Sequence, residues 1–134
     1  MADVTRVRFA DLPNHLADEG GEFRMAREAL GSDQLGVTSI VLPPGGSTQG
    51  DQGHFHDVQD EAYVLVHGGP VEVQADDDRL ELHAGEVLRV APHVVRAFRN
   101  RGDEDAVLIA VSGRQPPEGD DSLPVDDFWT EDWG

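Results

Sequence analysis

The chain has 134 residues, enough for one ordinary domain that buries a core without cross-links. It carries 27 acidic against 10 basic residues, a formal net charge of -17, and every basic residue is Arg. That balance argues against nucleic acid and anionic membrane surfaces as partners, while the absence of Cys excludes disulfides and thiolate metal sites and the absence of Lys excludes Schiff-base chemistry and a phosphate loop.

The opening stretch MADVTRVRFADLP alternates and lacks the apolar block of a secretion signal, and no apolar run nears the ~20 residues of a membrane span. A cytoplasmic protein is therefore expected. Along the chain, apolar residues recur with a period close to two, the mark of half-buried strands. The pattern predicts strands over Val4–Phe9, Glu22–Ala29, Gly36–Leu42, Glu61–His67, Val71–Ala75, Arg79–Leu82, Val87–Val90, Val95–Arg99 and Ala106–Ser112. The second of these also has helical propensity, but flanking glycines keep it short and it is read as a strand. Clusters of Gly, Pro and Asp separate the segments, at PPGG, HGGP, DDD and RGDED among others. Many short strands punctuated in this way predict an all-β sandwich or barrel.

From Arg114 the composition becomes acidic and proline-rich, yet it includes Phe128, Trp129 and Trp133. Residues 1–113 are accordingly read as the β-barrel domain and 114–134 as an acidic tail. Its aromatic residues either stay loose or dock on the barrel or on a second copy, because exposed Trp is unfavourable in water.

The chemistry concentrates in GHFHDVQDEAYVLVHGG, from Gly53 to Gly69. His54 and His56 are two apart, so on a strand both rings point to one face. Glu61, Tyr63 and Leu65 share a face of the next strand. If the two faces meet, two imidazoles and a carboxylate converge, a donor set that suits a divalent metal with open positions. A second stretch, HAGEVLRVAPHVVRAFRN from His83 to Asn100, has a turn Gly, a Pro break, and Arg96, Phe98 and Asn100 alternating on one face.

Together the two stretches resemble the paired motifs of the cupin superfamily. His54, His56, Glu61 and Gly68 match the first motif, whose leading Gly falls at Gly45 or Gly46; Gly85, Pro92 and Asn100 match the second. The resemblance covers roughly residues 35–112. It implies an antiparallel jelly-roll barrel with a metal inside, held by His54, His56 and Glu61, and a homodimer as the default assembly. Activities in the superfamily range from dioxygenases and isomerases to non-catalytic binding modules, so the fold alone does not set the function.

One position departs from the motif. The superfamily's fourth ligand, a His, aligns with Arg96, and Arg stays protonated and cannot ligate a metal. Two readings follow. Either His54, His56 and Glu61 still hold a divalent ion, with Arg96 swung aside or gripping an anionic ligand, or no metal binds and Arg96 pairs with Glu61 in a polar pocket. His93 offers a substitute ligand only if its loop turns inward. His67 and His83 are read as solvated, and so are Asp57, Gln59 and Asp60, with a partner role toward a histidine open to one of the three. The expected protein is a small-molecule-binding barrel. In the first reading it is a metal-dependent oxygenase or isomerase acting on a small anionic metabolite, with Tyr63 and Arg96 as catalytic residues. In the second it is a metal-free binding or sensing barrel.

Overall fold

The computed structural model describes residues 2–130; Trp133 lies outside them. Ten strands are present among the described residues: β1 (Glu22–Met25), β2 (Gly36–Leu42), β3 (Gly53–His56), β4 (Glu61–His67), β5 (Val71–Ala75), β6 (Asp78–Leu82), β7 (Val87–Val90), β8 (Arg96–Asn100), β9 (Ala106–Ser112) and β10 (Ser122–Val125). They form two five-stranded antiparallel sheets in the orders β1-β2-β9-β4-β7 and β10-β3-β8-β5-β6. From β2 onward the chain changes sheet at every connection except the β5–β6 hairpin, which is the jelly-roll winding. Among the described residues no helix is long and apolar enough to cross a membrane.

Period-two patterning places alternate side chains between the sheets. Ile40 and Leu42 from β2, Tyr63 and Leu65 from β4, Val71 and Val73 from β5, Phe98 from β8 and Leu108 from β9 all enter one apolar core. One end of the barrel is closed. There the fully buried Asn100 donates to the Leu42 and Glu104 carbonyls and accepts from the Gly102 amide. Gly68 turns the chain at φ 77°, and a Cβ there would lie 2.2 Å from the Asp105 carbonyl oxygen, so the closed end requires glycine at this point.

Two sequence expectations change. Val4–Phe9 forms no strand: alternation needs a ladder partner, neither sheet supplies one, and Val4 stays 84% exposed. Glu22–Ala29 is a strand only to Met25. Arg27–Leu30 then makes one helical turn, stopped by Gly31 in the left-handed region, so helical propensity prevails over its second half. Arg27 ties this turn to the barrel through Ser112 Oγ at 3.1 Å and the Gly113 carbonyl at 2.7 Å.

The C-terminal stretch, for its part, docks on the barrel. β10 pairs with β3 in the register Ser122↔His56 to Val125↔Gly53. Beyond it, the buried Gln74 donates to the Phe128 carbonyl and accepts from the Thr130 amide. The Phe128 ring lies over Gly53 so closely that a Cβ there would come within 2.6 Å of it. The Arg99 guanidinium sits 4.2 Å above the Trp129 ring, a cation–π contact.

Candidate functional site: a histidine–carboxylate centre in the barrel

β3, β4 and β8 bring His54, His56, Glu61, Tyr63 and Arg96 together inside the barrel. His54 faces Arg96 across the β3–β8 pairing. The His54 and His56 rings meet edge to face, with centroids 5.2 Å apart. Glu61 Oε1 is the hub. It lies 3.2 Å from His56 Nε2, 4.0 Å from His54 Nε2 and 3.5 Å from Arg96 Nη2, and it accepts a short hydrogen bond from the Tyr63 hydroxyl. One donor atom from each of His54, His56 and Glu61 falls within 4.8 Å of the others.

The electrostatics differ from group to group. Burial, reinforced by the Arg96 charge, lowers His54 to about 4 against the pull of Glu61, so its imidazole is neutral at pH 7. Burial also disfavours charge on His56, but the hydrogen bond and charge of Glu61 and the hydrogen bond to Asp121 outweigh it and raise its pKa. Glu61 is pushed up by burial and brought below the ordinary value by His56, Tyr63 and Arg96. Burial, then the Glu61 charge, holds Tyr63 well above the usual phenol range, so its hydroxyl remains a donor.

These residues suit a divalent ion. His54 is neutral, its Nδ1 is buried without a hydrogen-bond partner, and two nitrogens and one oxygen converge. Arg96 is fully buried, donates from Nη1 to the Val94 carbonyl at 2.8 Å, and its Nε and Nη2 have no hydrogen-bond partner. It stands behind Glu61 and is not part of the wall of the adjoining cavity.

That cavity, about 1050 Å³, opens between the sheets. His54, His56, Glu61, Tyr63, Gln59 and Phe98 line its inner part, and His15, Arg27 and Glu28 are among the residues nearer the outside. Among its lining side chains Arg27 is the one Arg, and it is already bonded to Ser112 and Gly113, whereas Glu28, Glu61 and Asp120 are acidic.

Other candidates fall elsewhere. His93 is 69% exposed at φ 72°, stacks on Phe55 and faces Asp57 at 3.6 Å, so its loop does not turn inward. His67, displaced by a bulge after Leu65, pairs with Glu104 in solvent, and His83 with Glu81. Asp60 binds Arg89, and Gln59 donates to the Gly113 carbonyl. The histidine's carboxylate partner is instead Asp121, whose Oδ1 lies 2.8 Å from His56 Nδ1. Nothing in the local sequence around Asp121 marks it; the aromatic residues that follow it were the available hint that the segment docks.

A family model described as "Cupin domain" matches residues 38–112, and the chain belongs to that family. Protein SchB of Streptomyces halstedii is 32% identical over 119 residues, covering 85% of this chain and 80% of that protein. Among solved structures, the polyketide cyclase RemF from Streptomyces resistomycificus superposes with a TM-score of 0.71 at 18% identity, covering 97% of this chain and 89% of that one. A sugar phosphate isomerase from Silicibacter pomeroyi gives 0.68 at 20% identity, covering 91% and 92%. Oxalate oxidase with the substrate analogue glycolate gives 0.69 at 16%, covering 91% and 62%. At these identities the structures share the fold.

Proposed function

We propose that the protein is a metal-dependent enzyme that binds a carbonyl- and hydroxyl-bearing molecule of the polyketide class and activates its carbonyl, without net oxidation. The observation that carries this reading is the meeting of His54, His56 and Glu61 donor atoms within 4.8 Å at a cavity of about 1050 Å³. His54, His56 and Glu61 would hold the ion. A divalent ion there supplies Lewis-acid polarisation of a substrate carbonyl oxygen.

The chain's own residues have separate tasks. Arg96 cancels the Glu61 charge from behind, which leaves the centre electropositive toward an oxygen gaining negative charge. Tyr63 keeps its proton, steadies Glu61 and presents its oxygen to a substrate hydroxyl. Phe23 and Met25 on the wall offer apolar surface to a ring system. With Arg27 already bonded to Ser112 and Gly113, and Glu28 and Asp120 also on the wall, the cavity favours a neutral or weakly acidic substrate over the small anionic metabolite expected from sequence. Fold likeness to a polyketide cyclase agrees with that choice. The alternative is a metal-free binding barrel, favoured by the 3.5 Å approach of Arg96 to Glu61.

Elemental analysis of the purified protein beside a His54→Ala/His56→Ala variant tests the metal. About one equivalent in the native protein and none in the folded variant is expected; equal metal in both would move the centre elsewhere, and none in either would leave the binding barrel. Titration with a bicyclic polyphenol and with glucose 6-phosphate tests the substrate class. Tighter binding of the polyphenol is expected, and preference for the phosphate would overturn it.

A further inference from the structure

The two imidazoles of the centre are held differently. His54 Nδ1 is buried with no partner, whereas His56 Nδ1 meets Asp121 Oδ1 at 2.8 Å. Asp121 arrives from 65 residues away, immediately before β10, and its side chain is only 4% exposed. The carboxylate is itself fixed: Oδ2 accepts the Val58 amide at 2.7 Å and the Gln59 amide at 2.9 Å. The Asp57 amide donates to the Asp121 carbonyl, and the β10–β3 ladder begins at the next residue. With Oδ2 committed to two backbone donors, Oδ1 is left to accept a proton from the ring. That bond turns His56 Nε2 toward Glu61, where it lies 3.2 Å from Oε1.

We propose that Asp121 is a positioning residue: by accepting the Nδ1 proton of His56 it fixes Nε2 as the ligating nitrogen, so the metal centre is complete only when the C-terminal segment is docked. The inference rests on the metal-dependent reading above. A histidine that donates its other ring N–H to a carboxylate is held in one tautomer and one orientation and becomes the more basic ligand, and loss of such a partner commonly weakens metal binding roughly 10–100-fold.

The experiment is Co²⁺ titration of the full chain, with long-range ¹H–¹⁵N NMR of the histidine rings of the metal-free protein at a pH where His56 is neutral. Asp121→Asn removes the charged acceptor at nearly constant shape. Asp126→Asn removes a carboxylate charge from the same segment, at an exposed position where the Asn oxygen can still accept from Gln52, and leaves the β10–β3 pairing and His56 in place. Asp121→Glu keeps the carboxylate and covers the case in which Asp121→Asn does not fold. The expected result is a roughly 10–100-fold weaker Co²⁺ affinity for Asp121→Asn, a smaller loss for Asp121→Glu, wild-type affinity for Asp126→Asn, and a His56 tautomer with its proton on Nδ1 only when residue 121 is Asp or Glu. Wild-type Co²⁺ affinity in Asp121→Asn would overturn the proposal, as would equal losses in Asp121→Asn and Asp126→Asn. If the native chain binds no Co²⁺, the metal reading fails, and the tautomer still decides whether Asp121 orients His56: an unchanged tautomer in Asp121→Asn overturns that too.

Discussion

The two ends of the barrel are built by the same alternation and serve opposite purposes. Along β4 the inward side chains run Glu61, Tyr63, Leu65, and along β8 they run Arg96, Phe98, Asn100. Tyr63 and Phe98 pack at 4.4 Å in the middle and divide the interior. At the closed end the polar side chain, Asn100, is bonded to three backbone groups and the rest is apolar. At the open end His54 Nδ1 and Arg96 Nε and Nη2 are buried without hydrogen-bond partners. Leaving buried polar atoms unpaired costs stability. The interior of the closed end is thus completed by the chain's own backbone, whereas at the open end His54, His56 and Glu61 turn their donor atoms toward one another at the cavity.

The comparison breaks most readily at the closed end. Leu65→Ala, at a fully buried position, is expected to lower the unfolding free energy by about 2–5 kcal/mol. Chemical denaturation measures this, and the molecules that remain folded should bind metal as before; a parallel loss of metal affinity would mean the ends are not independent. Next in size is Arg96→His, which removes a fixed cation beside Glu61 and adds a nitrogen donor. Divalent-ion affinity, followed by calorimetry, is expected to rise about tenfold or more, or about 1.4 kcal/mol. An unchanged affinity would show that position 96 does not sense the centre. Smallest is His67→Ala, on β4 itself but outside both ends, where the His67–Glu104 pair is solvated. Its effect on stability should stay within about 0.5 kcal/mol, and on metal content be nil.

Much of the barrel was legible in the sequence. β2, β4, β5, β7 and β9 begin and end where the alternation predicts, because each has one face buried and the pattern records that directly. The convergence of His54, His56, Glu61 and Tyr63 was legible for the same reason: spacing of two fixes a shared face. Alternation could not report pairing partners. Val4–Phe9 alternates like a strand and pairs with nothing, while Ser122–Val125 contains Pro124, looks unlike a strand, and still docks beside β3, at the edge of its sheet, where Pro is tolerated. Arg96 lies beside Glu61, on the face that alternation assigns it, but its complete burial depends on neighbours from several strands, which no local pattern records. Asp121 reaches His56 through a long-range contact that no local period encodes.

The stacking of Trp129 on Arg99 has a practical consequence. An indole held against a guanidinium on β8 is a built-in optical reporter, because its emission changes when the two separate. With Trp133→Phe as background, tryptophan fluorescence during a denaturant ramp would show whether the strap carrying Asp121 peels away before the rest of the barrel opens.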